Sequence, residues 1–236
     1  MIEGFLLANK SVGISSFKVV RKVRAITRTQ RVGHAGTLDP FASGLLVLAL
    51  GRPFTRQIET VQALPKTYRL TCRLGQTTPS LDPETDVSRT DLDWAFQMQN
   101  NPDFEHQLKT VVAGFVGSYD QIPPMYSAKQ QQGQRLYDLA RAGKEIERKP
   151  VSVTLYRIDW EGLNWKDGFP EVSLGVTCSK GTYMRSLAND IAQQLGTVGY
   201  ATALERSAVG DLALSDALGY DDLSLDSILA KLKPTL

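Results

Sequence analysis

Between Gly33 and Gly51 the chain reads GHAGTLDPFASGLLVLALG, a turn carrying one carboxylate, Asp39, followed by the unbroken apolar run Leu45–Leu50. Gly33 and Gly36 open backbone conformations closed to other residues, and Pro40 cannot continue a helix or a central strand. A short apolar run bounded by turn signals reads as a buried strand. A rigid strand therefore holds a loop that presents the single acid Asp39. A lone, fixed acid suits a nucleophile or a general base. An Asp that folds its own turn fits the same residues, because Asp-Pro segments favour that geometry. His34 lies five residues upstream.

Length and composition narrow the class. A chain of 236 residues, 42% apolar, is large enough for a real core and fits one large domain or two small ones. No segment approaches the roughly 18 to 20 unbroken apolar residues of a membrane span. The start, MIEGFLLANK, has no basic leader or cleavage site and reads as a first strand. Cys72 and Cys178 each alternate with apolar residues and lack metal or redox spacing, which predicts buried free thiols. With only His34 and His106 available, no zinc site is expected. A cytoplasmic protein without a metal follows.

Net charge is only +2, but it is unevenly spread. Residues 1–70 carry 11 Lys/Arg against 3 Asp/Glu, whereas residues 71–120 carry 3 against 8. The basic excess surrounds the Asp39 turn, which suits a polyanion such as nucleic acid, and equally suits a solvated basic face.

Coarse periodicity gives a mixture of elements. Gly4–Ala8 reads as a strand, with Ser15 or Ser16 capping a following helix. Phe17, Val20, Val23 and Ile26 predict its apolar stripe, and Lys18, Arg21, Lys22 and Arg28 lie largely off it. In Lys66–Leu74, strict alternation puts Tyr68, Leu70, Cys72 and Leu74 on one face. Residues 76–93 are polar and aperiodic and read as a surface loop. His106–Phe115 and Leu136–Ala142 read as helices. Lys129, Arg135, Arg141 and Lys144 are placed to reach phosphates. Val151–Trp160 changes phase, which predicts a bulge near Tyr156–Arg157. Val172, Leu174, Val176 and Cys178 form another inward set. Met184, Leu187, Ile191 and Leu195 stripe a helix that stops at Gly196, and YATALERSAVG reads as a strand. Strands and helices out of strict alternation indicate α+β with a mixed, largely antiparallel sheet flanked by helices and loops.

The string GHAGTLDP resembles the signature loop of the TruB family of tRNA pseudouridine-55 synthases. Further similarities follow in order: Lys10-x-x-Gly13-x-Ser15-Ser16, Lys66-x-Tyr68, GSYDQIPPMYSAKQQQGQRLYDLARAGKEI, SKGTYMRS and Leu204-x-Arg206-Ser207-x-x-Gly210. The resemblance covers Gly4 to Gly210. The family's Thr-Asp-Thr-x-Asp-x-x-Gly pattern is kept here as Thr78, Ser80 and Asp82, with Pro79 in place of its first Asp and Thr85 in place of its Gly.

The resemblance implies a pseudouridine synthase fold over residues 1–212, then a short tail, 213–236, without a complete PUA domain. It implies Asp39 as the nucleophile attacking the target uridine at C1′ or C6. Tyr68 would stack on the flipped base and assist proton removal at C5. Arg185 would pair with Asp39 and keep it ionised, so that Arg185→Met abolishes turnover with folding intact. Tyr183 and Leu204 would border the uridine, His34 would support the loop, and Lys10 and Lys66 would contribute to substrate binding. The implied partner is the T stem-loop of tRNA, with no cofactor, membrane or obligate protein partner, and the chain acting as a monomer. Two alternatives remain: a non-catalytic RNA-binding or tRNA-folding protein, and a guide-dependent synthase acting on ribosomal RNA.

Overall fold

A computed structural model describes residues 2–127, 130–131, 134–135 and 146–235. The expected helix Leu136–Ala142, the cations Lys129, Arg141 and Lys144, and the side chain of Arg135 lie outside the described residues. Contacts divide the chain into two compact units. One contains the residues up to Arg69 and from Leu204 onward, and the other is Leu70–Ala203.

In chain order the elements are β1 (Gly4–Lys10), α1 (Ser16–Thr27), β2 (Val32–His34), β3 (Ser43–Leu50), α2 (Arg52–Thr55), α3 (Ile58–Ala63), β4 (Lys66–Leu74), β5 (Gln76–Thr77), β6 (Arg89–Thr90), α4 (Leu92–Gln99), α5 (Phe104–Ala113) and β7 (Gly117–Gln121). Two short strands, β8 (Gln130–Gln131) and β9 (Gln134–Arg135), precede β10 (Val151–Lys166), β11 (Phe169–Cys178), α6 (Met184–Gln194) and β12 (Gly199–Val209). β13 (Leu212–Ala213), β14 (Leu218–Gly219) and α7 (Leu225–Lys231) follow.

In the first unit the apolar run is β3. It pairs antiparallel with β1, from Gly4↔Leu50 to Lys10↔Gly44, and on its other side with β2 and, in parallel, with β12 at Glu205↔Ser43. Leu46, Leu48 and Leu50 face one core with Leu6, Ala8, Val19, Val20 and Val23. Leu45, Val47 and Ala49 face another with Phe5, Leu7, Val61 and Val209. Both faces are covered, so a strand with no polar side chain from Leu45 to Leu50 is what the position requires. Each leucine fully buried there is worth about 1.5–3 kcal/mol.

The stripe of α1 differs from the expected one. Ser16, Val19, Val20, Val23 and Thr27 are buried, and Phe17 is 56% exposed. Steps of three fall short of the 3.6-residue turn, so a stripe at constant spacing three winds off the buried face, whereas 16/19/20/23/27 stays on it. Ser15 is the N-cap, accepting from the Lys18 N–H, which leaves Ser16 for another task.

The tail beyond Gly210 docks on this same unit. β14 pairs in parallel with β1, Ile228 of α7 is fully buried, and Lys233 and Phe5 exchange two backbone hydrogen bonds of 2.8 Å. Ser224 and Ser227 close a capping box that starts α7.

In the second unit β11 pairs antiparallel with β10, which pairs antiparallel with β7. Val172, Leu174, Val176 and Cys178 are buried in alternation, as their spacing predicts, and Cys72 and Cys178 are buried free thiols. The register of β10 slips between Leu155 and Arg157, at the expected bulge, and again between Trp160 and Gly162. Residues 76–93 are not a plain surface loop. β5 and β6 pair as a hairpin, and Thr78, Ser80 and Asp82 between them are buried. Thr78 and Ser80 bond Asp82 inside the fold, whereas residues 83, 84 and 86–90 are exposed, as the surface-loop reading predicts.

Candidate active site

The Asp39 loop is fastened at several points within the first unit. On its N-terminal side, the Ser16 hydroxyl donates to Leu38 O at 3.0 Å and accepts from Leu38 N at 2.9 Å. On its C-terminal side, Pro40 O accepts from Gly13 N at 2.8 Å and from Lys10 Nζ at 3.4 Å. Asp39 O itself accepts from Ala42 N at 3.1 Å. Both neighbours of Asp39 are thus anchored through their backbones, and Asp39 itself is half-buried between them.

Arg206 supports the loop from beneath. It is 1% exposed and donates from Nε to Leu45 O at 2.7 Å and from Nη2 to Gly36 O at 3.0 Å. Gly44 makes that approach possible. Its φ is 106°, and a Cβ there would stand 2.4 Å from Arg206 O, so no other residue fits. His34 closes β2 opposite Leu48. Burial foremost, then the Arg206 charge, hold the His34 pKa below its ordinary value, against an opposing backbone hydrogen bond at Gly36. The imidazole is therefore neutral at pH 7.

Lys10 and Lys66 are both buried, and their ammonium groups donate to backbone carbonyls. Lys10 Nζ donates to the carbonyls of Ser11 (3.1 Å), Ile14 (2.8 Å) and Pro40, and Lys66 Nζ to those of Gln62 and Leu64. Through these contacts both lysines tie backbone turns together. Tyr68 on β4 is half-buried, and Leu204 on β12 is 8% exposed.

Tyr183 and Arg185 lie in the second unit, at the start of α6. Arg185 is not on a solvated helix face. It is 3% exposed, stands 3.1 Å from Asp82 Oδ2, and donates to Ser80 O at 2.8 Å and Tyr126 O at 2.7 Å. Asp82 accepts from the Ser80 hydroxyl at 2.5 Å and from Glu84 N at 3.0 Å, and Thr85 Oγ1 bonds the same Ser80 hydroxyl at 2.7 Å. Thr85, which departs from the family pattern, is therefore part of the cluster. Leu81, between Ser80 and Asp82, takes a left-handed φ of 60°, a strained state that this bonding sustains.

Gln121 fixes Tyr183. Its side chain accepts from Tyr183 N at 2.8 Å and donates to Tyr183 O at 3.1 Å, and also donates to Tyr119 Oη at 2.5 Å. Tyr119 Oη in turn donates to Asp190 Oδ2 at 3.4 Å. Burial raises the Asp190 pKa to about 6 despite that bond.

Of the residues expected from sequence, Asp39, His34, Lys10, Lys66, Tyr68 and Leu204 are found in the first unit, and Tyr183 and Arg185 in the second. Asp82, Arg206, Gln121 and Ser16 stand inside the family-like motifs but are not among the expected site residues. Buried polar residues with fixed partners carry no periodic signal, so only motif membership marked them. Among the described residues no group of three His, Cys, Asp or Glu side chains gathers as metal ligands.

Comparison with known proteins places these features in a family. The model of the TruB family pseudouridylate synthase N-terminal domain matches residues 24–184. A tRNA pseudouridine synthase B of Clostridium kluyveri is 40% identical over 99% of this chain and 76% of its own length. Those of Dehalococcoides mccartyi and Desulfotalea psychrophila are 43% and 40% identical over 94% and 91% of this chain, and 70% and 85% of theirs. Among solved structures, a chain of a Cbf5-Nop10-Gar1 complex shares the fold with a TM-score of 0.68 at 24% identity, over 94% of this chain and 54% of that one. With the family model covering most of the chain and the relatives nearly all of it, the chain belongs to the TruB family of pseudouridylate synthases.

Proposed function

We propose that this chain is a tRNA pseudouridine synthase that isomerises uridine 55, in the T loop, with Asp39 as its nucleophile. The carrying observation is the Asp39 loop itself: one acid, fixed through both neighbours, in the segment that matches the family. The reaction breaks the bond from C1′ to N1, turns the base, joins C1′ to C5, and trades the C5 proton for one on N1. Nothing is oxidised and no group is lost, so the chemistry asks for no cofactor. A carboxylate begins it, by attack at C1′ or at C6.

A uridine in a stacked loop hides both atoms, and flipping it out costs a few kcal/mol. Stacking on Tyr68 returns about 1–3 kcal/mol, and its hydroxyl assists removal of the C5 proton. Tyr183 and Leu204 border the flipped base, and His34 braces the loop as a neutral imidazole. The resemblance assigns Arg185 to the Asp39 carboxylate, and within its own unit Arg185 pairs with Asp82. The enzyme acts on the T stem-loop as a monomer in the cytoplasm, without an obligate protein partner. Among the described residues no helix is long and apolar enough to cross a membrane.

Incubating the purified chain with an unmodified T-arm hairpin and mapping pseudouridine tests the reading. Product at the T-loop uridine supports it, and binding without product favours an RNA-folding protein instead.

A further inference from the structure

We propose that the outer face of α1, with the groove it forms beside Tyr220, is a track for the phosphodiester backbone of RNA. The proposal rests on the function above and names a surface through which the substrate is held.

The sequence of α1, SFKVVRKVRAIT, contains Lys18, Arg21, Lys22 and Arg24 and no acid, and Arg28 follows as its C-cap. The buried stripe uses Ser16, Val19, Val20, Val23 and Thr27, so none of these cations is spent on the core. Lys18 and Lys22, and Arg24 and Arg28, are like-charged pairs four residues apart, an arrangement that weakens a helix unless an outside anion offsets it. Among the described residues no carboxylate forms a salt bridge with any of the five.

A groove of about 420 Å³ lies along this face, lined by Lys18, Arg21, Lys22, Arg24, Ala25 and Tyr220. Asp221 and Asp222 follow Tyr220 in the chain but do not line the groove. Its floor is braced. Lys22 Nζ donates to Tyr220 O at 2.6 Å and lies 4.2 Å from the ring centroid, and Arg24 Nη2 donates to Val32 O at 2.7 Å. Lys18 and Arg21 stand exposed above it. Phe17 is exposed beside them, its ring 5.9 Å from the Arg24 guanidinium carbon. Cations interleaved with an exposed aromatic along an open groove suit a polymer with phosphates and stacking faces.

Position ties the track to the nucleophile. Ser16, the first residue of α1, holds Leu38 beside Asp39, and the cations begin two residues later. At about 1.5 Å per residue the helix carries charge ~18 Å away from that point. An RNA that delivers a uridine to Asp39 brings its flanking backbone within reach of this face.

The test is the double variant Lys18→Gln/Arg21→Gln, which leaves the bracing Lys22 and Arg24 in place. Binding of an unmodified T-arm hairpin is measured against salt, and single-turnover conversion is measured at saturating hairpin. The slope of log affinity against log salt should fall by about two, and Kd should rise on the order of tenfold. The saturated rate should stay at the wild-type value, and thermal unfolding should show an intact fold. An unchanged slope and Kd overturn the track. The two readings separate: a wild-type chain that binds the hairpin but makes no pseudouridine overturns the function, and the track still stands if the double variant loses slope.

Discussion

Arg185 and Asp82 form an ion pair 3.1 Å long in which both side chains are only 3% exposed. Removing one partner of such a pair strands the other as a buried charge, at a cost of about 3–5 kcal/mol. The pair therefore predicts that Arg185→Met destabilises the fold, against the sequence expectation that folding stays intact. The variant should unfold at markedly lower urea, and Arg185→Met/Asp82→Leu should recover part of the loss. Equal urea midpoints for wild type and Arg185→Met would remove the pair from the stability account. Should the recovered double variant also regain turnover, Arg185 acts only through the fold, and its proposed service to Asp39 is wrong.

Arg206 tests whether loop position controls rate. Arg206→Met deletes the donors to Gly36 O and Leu45 O, and Gly44→Ala forces a Cβ against the Arg206 backbone. A misplacement of about 1 Å at a reacting group costs on the order of 10²-fold. Steady-state kinetics should show kcat falling by that order with KM changed much less. A loss confined to KM would assign Arg206 to binding instead.

Tyr68 separates stacking from proton transfer. Tyr68→Phe should bind the T-arm hairpin as wild type does and convert it slowly. Tyr68→Ala should in addition lose about 1–3 kcal/mol of hairpin binding. Full turnover by Tyr68→Phe would exclude the hydroxyl from the chemistry.

Two half-buried groups give stability opposite pH dependences. The folded state holds His34 below its ordinary value of 6.5, so the unfolded chain protonates first as pH falls. The stability owed to neutral His34 is full above pH 6.5 and is lost as pH drops through the lower folded value. Asp190 behaves the other way, being raised from 3.8 to about 6. Its contribution is full below 3.8 and is lost as pH rises through about 6. Urea titrations from pH 4 to 8 should show His34→Gln flattening the acid-side loss and Asp190→Asn removing the decline toward pH 6. Parallel wild-type and variant curves would refute either assignment.

Much of the fold was legible because it is periodic. Leu45–Leu50, the β11 alternation and the β10 phase change each follow from side chains taking turns between two sides of a sheet. In the α1 stripe Val20, Val23 and Ile26 meet the core as their spacing predicts and only Phe17 does not, since spacing three and spacing 3.6 diverge within two turns. Within 76–93 the burial of Ser80 and Asp82 escaped for a different reason: their partner is Arg185, roughly a hundred residues away, and no local pattern announces it. Asp39 was legible from its turn and its motif. Lys10 was legible as a motif residue only, because whether an ammonium meets a ligand or three carbonyls is decided by the folded backbone.

The most direct measurement is pseudouridine mapping on an unmodified T-arm hairpin incubated with wild type and with Asp39→Asn at matched, saturating occupancy. Wild type should convert the T-loop uridine, and Asp39→Asn should bind the same hairpin with comparable affinity and leave every uridine unchanged. Pseudouridine formed by Asp39→Asn would contradict the assignment of that carboxylate as the nucleophile.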